Sequence, residues 1–181
     1  QGSRIIPYTW FTWLEQPGNT KLFRSVEYMD SFRYLPVASS KSNPSGLPIG
    51  FAVEQESNTD KPWVGFTCAA CHTNQIDYKG TSFLVEGAPT LANFVEFYRK
   101  LNDAMNETHK NDRKFDRFAK KVLGEEYSVF AASRLRQELF DVAEENALRQ
   151  TVNSLPSHYP ADFTSYGRLD AFGNIQNAAS A

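Results

Sequence analysis

The sequence predicts a mainly α domain with several helices, long ordered loops and one small β-hairpin. Three observations carry that expectation. From Thr90 onward, apolar residues recur at three- and four-residue steps, the period of a helix with one buried face. Residues 36–48 hold three prolines among four Ser and one Gly, which marks an ordered loop. Residues 75–78 and 82–86 flank Lys79-Gly80-Thr81, a turn sequence between two short runs, as in a hairpin.

In chain order, residues 8–15 (Tyr-Thr-Trp-Phe-Thr-Trp-Leu-Glu) read as a short aromatic helix stopped by Pro17-Gly18. A second short helix is expected over residues 21–30. Residues 50–53 read as a short strand, and residues 54–62 as polar and turn-like. After the hairpin, Gly87-Ala88-Pro89 leads into a helix with Thr90 as its N-cap. Its stripe is Leu91, Phe94, Val95, Tyr98, Leu101 and Met105. A further helix spans residues 112–123, with Phe115, Phe118, Ala119 and Val122 on one face and Gly124 as C-cap. The longest helix is expected over residues 126–153, striped by Phe130, Leu135, Leu139, Val142 and Leu148, and ended by Pro156 and Pro160. Tyr166-Gly167-Arg168 leads into a last short helix over residues 169–177. The division is one domain, 1–181, with a loop-rich segment 1–64 and a helical part 65–181.

A net charge of −2 without a long basic run gives no electrostatic support for nucleic-acid binding. No stretch has the apolar length of a membrane span. The 14 % aromatic share fits a large flat apolar ligand and fits an aromatic core equally well.

The two cysteines fall in one run, Cys68-Ala69-Ala70-Cys71-His72. This is C-x-x-C-H, the attachment signature of c-type haem. Two intervening residues let one helical turn present both thiols to the two vinyl groups of a porphyrin edge. The histidine that follows then serves as the iron's proximal ligand. A thioredoxin-like reading needs a preceding strand in a βαβ pattern, which the sequence lacks. A zinc site needs two further ligands at suitable spacing. The domain is therefore expected to be c-type cytochrome-like, with one covalent haem c and its iron held by Cys68, Cys71 and His72. Such attachment takes place outside the reducing cytosol, so the expected location is the bacterial periplasm or beyond, after removal of a signal peptide.

The sixth iron position separates electron carriers from oxygen- or peroxide-binding sites. Met29, Met105, His109 and His158 are the candidates. Met105 also fits core packing, His109 also suits a helix C-terminus, and His158 also fits a surface loop. Pro89 and Phe94 are candidate walls of the haem pocket. Arg168 and Arg99 are candidate partners for the propionates.

Several ordered stretches share a wider likeness: residues 10–16, residues 43–51 (Asn-Pro-Ser-Gly-Leu-Pro-Ile-Gly-Phe), Gly65-Phe66-Thr67 before the motif, Glu86-Gly87-Ala88-Pro89, residues 114–119 with Val122-Leu123-Gly124, and residues 166–172 (Tyr-Gly-Arg-Leu-Asp-Ala-Phe). In these the chain resembles the N-terminal haem domain of the rubber oxygenase and fatty-acid-oxygenating dihaem cytochrome c family, distant relatives of the dihaem cytochrome c peroxidases. The resemblance implies a haem that activates O2 or peroxide against a hydrophobic substrate. It places His72 below the iron and aromatic residues above it, for which Phe163 and Phe172 are the counterparts. It also implies a second C-x-x-C-H in a C-terminal domain, whereas this chain has one. The chain is then a piece of a larger dihaem protein or a single-haem relative. The alternative function is electron transfer with a redox partner protein, using Met105 or His158 as sixth ligand.

Overall fold

The structure is a computed structural model and describes residues 4–55, 61–152 and 166–167. It corrects the expected fold class. The chain is not mainly α with a single hairpin, nor clearly a cytochrome c fold: about 49 % of the described residues are helical and 17 % lie in strands, in two small antiparallel sheets. Strands β1 (Ile6–Pro7), β2 (Phe51–Gln55) and β3 (Pro62–Phe66) form one sheet in the order β1-β3-β2. Val64 sits opposite both Ile6 and Val53, and Phe66 opposite Phe51. Pro62 is tolerated in the central strand because it opens it, where no ladder donor is lost inside the run. Strands β4 (Thr73–Tyr78) and β5 (Thr81–Glu86) form the expected hairpin, paired from Thr73 opposite Glu86 to Tyr78 opposite Thr81. Its turn residues Lys79 and Gly80 both have positive φ, 49° and 80°, the conformation that matches strand twist in a two-residue turn.

Two short helices precede the hairpin, α1 (Tyr8–Trp13) and α2 (Val26–Ser31). Three longer ones follow: α3 (Phe94–Lys110), α4 (Asp112–Leu123) and α5 (Val129–Val152). The bounds of α4 match the sequence reading. Asn111 caps it by accepting from the backbone N–H of Arg113 and Lys114, and Gly124 ends it at φ 52°. The N-cap of α3 is Asn93, which accepts from Glu96 N, and not Thr90. Thr90 is held instead by the cysteine turn, its N–H donating to Cys71 O at 3.0 Å.

The buried face of α5 also differs from the expected stripe. Ala132, Leu135, Leu139, Ala143 and Asn146 are buried, whereas Phe130 and Leu148 are exposed. The small alanines let α3 and α5 approach closely, and Phe130 lies well round the helix from Leu135. The expected breaks at Pro156 and Pro160 and the helix over 169–177 lie outside the described residues.

The core is aromatic. Phe97 is fully buried on α3, with ring contacts to Phe23, Phe32, Tyr34, Phe51, Phe66 and Tyr98 at centroid distances of 5.3–5.8 Å. Much of the aromatic share is therefore absorbed by packing, which favours edge-to-face and offset rings at such distances. The N-terminal segment belongs to this core. Glu15 accepts a two-pronged contact from Arg117 at 2.7 and 2.6 Å, and the buried Lys114 donates to Gln16 O at 2.6 Å. Asn146 donates to Ile5 O at 2.9 Å.

Candidate functional site

The chemistry-bearing residues follow directly from the end of β3. Phe66 completes the strand, Thr67 donates its N–H to Gly50 O at 2.8 Å, and Cys68–Ala70 turn into a single 3-10 helical turn. Cys71 and His72 both donate their N–H to Cys68 O, at 3.2 and 2.9 Å, so the C-x-x-C-H run is one closed turn. Both cysteines are free thiols, Cys68 exposed and Cys71 half-buried. His72 is exposed. Burial pushes the Cys71 thiol up, and the neighbouring Cys68 adds to the shift. The donors therefore stand on one turn, neither joined to each other nor sealed in the core.

Three contacts fix this turn. Gly50 lies directly beneath it: at φ 86°, a Cβ on Gly50 would fall 2.2 Å from the N and Cα of Ala70. The 87–90 segment returns over it, with Gly87 N–H donating to His72 O at 2.7 Å and Thr90 N–H to Cys71 O at 3.0 Å. Asn74 donates its side-chain amide to Pro89 O at 2.9 Å. Pro89 meets the residues beside the motif through its carbonyl, and its ring is exposed. Phe94 is half-buried beside Phe66 and Tyr98, at 5.4 and 4.7 Å. Behind the turn, Tyr34 stacks on Phe66 at 5.9 Å. Its hydroxyl is buried without a hydrogen-bond partner among the described residues. Its phenol is pushed well above the ordinary range by burial, then by Tyr98 and Cys71.

The other candidates are dispersed. Met105 and Met29 are buried members of the hydrophobic core. The His109 ring lies 3.3 Å from Arg136 O and packs on Phe140. Arg99 is exposed and paired with Glu96 and Asp103 on its own helix. His158, Phe163, Arg168 and Phe172 lie outside the described residues. Among the described residues no group of three or more His, Cys, Asp or Glu could hold a metal ion. None of the described helices is long and apolar enough to cross a membrane.

No family model matches the chain, and no solved structure matches it. It is similar to a protein of Sinorhizobium fredii (strain NBRC 101917 / NGR234) named Uncharacterized protein y4iJ, at 33 % identity over 190 aligned residues. The match takes in 95 % of this chain and 31 % of that protein. The chain therefore spans about a third of the length of the curated relative it matches.

Sequence reasoning missed Gly50, Thr67, Asn74 and Tyr34. Gly50 left one signal, the second glycine of Gly-Leu-Pro-Ile-Gly. The rest depend on contacts that no local pattern records.

Proposed function

We propose that this chain carries one haem c, attached through Cys68 and Cys71 with His72 as proximal ligand, and that the haem binds O2 or peroxide in an oxidoreductase of the dihaem oxygenase type. The observation that carries the haem reading is the closed turn itself, with two free thiols and an exposed imidazole on five consecutive residues. Cys68 and Cys71 would hold the haem by adding their S–H bonds across its two vinyl groups, sulfur to the inner carbon and hydrogen to the outer, with no electrons gained or lost, while Gly50 and the strap of residues 87–90 would keep the turn in place. When bound, the haem supplies an iron that takes O2 or peroxide, or passes single electrons.

Burial of the methionines speaks against electron transfer through Met105, while His158, the other candidate sixth ligand, lies outside the described residues. The chain has two methionines, and both are packed into the hydrophobic core. His109 is engaged on the Arg136 carbonyl. A periplasmic location, a hydrophobic substrate and a second haem domain belong to the same proposal. The share of the relative beyond the match leaves room for such a domain.

The test is production of the chain together with the haem c attachment machinery. Mass spectrometry and a pyridine haemochrome spectrum read attachment, and EPR with and without cyanide reads the iron. One haem, lost in Cys68→Ala with Cys71→Ala, and a high-spin signal converted by cyanide are expected. A chain without covalent haem overturns the attachment. A low-spin iron with two protein ligands overturns the oxygen-binding half.

A further inference from the structure

We infer that Tyr34 is a positioning residue for Cys71: its buried hydroxyl is held as a hydrogen-bond donor for the Cys71 sulfur in the haem-bearing form. The inference rests on the haem reading above. Tyr34 is 3 % exposed, and its hydroxyl has no hydrogen-bond partner among the described residues. A buried donor without a partner costs more than an ordinary hydrogen bond contributes, and folded chains keep few of them. The hydroxyl is also fixed where it is. Phe51 and Phe97 stand edge-on to its ring at 4.8 and 5.3 Å, and Phe66 stacks on it at 5.9 Å. Rings packed on three sides hold the side chain in its rotamer.

The same cage supports the cysteine turn. Ile49 N–H donates to Leu35 O at 2.9 Å, which ties the Tyr34 segment to the chain entering Gly50. Gly50 lies beneath Ala70, and Phe66 stands two residues before Cys68. The turn has unlike sides: Cys68 is exposed, whereas Ala70 is buried and Cys71 half-buried. Tyr98 and Cys71 are the titratable groups that bear on the Tyr34 phenol, which sets its polar end toward the half-buried cysteine. In the chain alone the Cys71 thiol does not accept from it. A free thiol turns among staggered positions. Attachment would fix the sulfur in one of them and leave its lone pairs as acceptor. The bond to Tyr34 then decides which position Cys71 keeps, and the orphaned hydroxyl is satisfied only in the haem-bearing protein.

The test is Tyr34→Phe, measured haem-loaded and as the chain produced without haem attachment. In the haem-free form the variant loses only an unsatisfied donor, so its Tm should rise, by about 2–6 °C. In the loaded form it loses a made bond, so its Tm should fall below the parent's. Its midpoint potential should fall too, because a donated hydrogen bond at the site favours the reduced state. Tyr28→Phe is the control. Tyr28 is half-buried in the same aromatic cluster, but the groups that bear on it are Glu96, Asp103 and Arg99. It should leave both forms within 1 °C of the parent, on the order expected for a hydroxyl without a role. In loaded single-cysteine chains, the fall should vanish with Cys71→Ala and persist with Cys68→Ala. Where a single-cysteine chain takes up no haem, the two forms of Tyr34→Phe decide alone. A rise in both forms leaves the hydroxyl orphaned in the loaded protein and overturns the inference. An equal fall in both, with the parent's potential, gives the hydroxyl a buried water as partner and overturns it too, as does a fall that survives Cys71→Ala. A parent without covalent haem removes the underlying haem reading. A loaded parent whose Tyr34→Phe variant shows no reversal removes this inference and leaves that reading standing.

Discussion

Gly50→Ala isolates the contact that holds the cysteine turn. The residue has φ 86°, a conformation that costs a side-chain-bearing residue about 1–2 kcal/mol. Its new methyl would also meet Ala70 backbone atoms at 2.2 Å. Neither can be relieved by a rotamer, so strand end or turn must shift, at a further cost of about 1–3 kcal/mol. The sum is about 2–5 kcal/mol, or a fall of about 4–20 °C in Tm for a domain of this size. Gly80→Ala is the matched control. It has φ 80° and nothing within 4 Å, so it bears the backbone cost alone. Thermal and urea unfolding of both variants measure the difference. Thiol labelling of Cys71 reports the turn and should quicken in Gly50→Ala only. Equal losses of stability in the two variants, with Cys71 labelled at the parent's rate, would refute the assignment of Gly50 as the seat of the turn.

Two further outcomes follow from the packing. Phe97→Ala removes the ring at the centre of the aromatic core, and urea unfolding should show a loss of about 3–5 kcal/mol. Glu107 accepts from Gly18 N–H at 2.7 Å and pairs with Lys114, and these hold its carboxyl below the usual range, the backbone bond most strongly. A depressed folded value contributes stability above the unfolded value of about 4.5, lost as pH falls through the folded one. Glu107→Gln should therefore flatten the acid limb of a stability–pH curve, with the two proteins converging at the lowest pH. An acid limb as steep as the parent's would count against the pairing.

Local signals were legible where the sequence carried its own punctuation. Helix α4 has an Asn cap, one apolar face and a terminal glycine, and its bounds could be read directly. The hairpin was legible from its turn. Strand β3 was not, because Pro62-Trp63-Val64-Gly65-Phe66 holds two residues that disfavour strands and draws its stability from partners on both sides. Missing it, together with β1, turned a mixed fold into a mainly α expectation. The stripe of α5 was misread because alanines and Asn146, weak signals on a hydrophobicity count, make its buried face. At the site, the five motif residues were plain, while Gly50 and the 87–90 strap act through chain segments brought together only by folding.

The bonds that join the first residues to the last helices also set an order of assembly. Ile5 waits for Asn146, and Glu15 for Arg117, partners 141 and 102 residues later. During synthesis the aromatic helix α1 emerges long before α4 and α5 exist to cover it. Such distant closures slow folding and prolong the exposure of apolar surface. The cysteine turn and its hairpin, by contrast, are closed by contacts within about twenty residues, that to Gly50 included. The nascent chain can thus close its C-x-x-C-H turn while its N-terminal aromatic segment still lacks the partners that cover it.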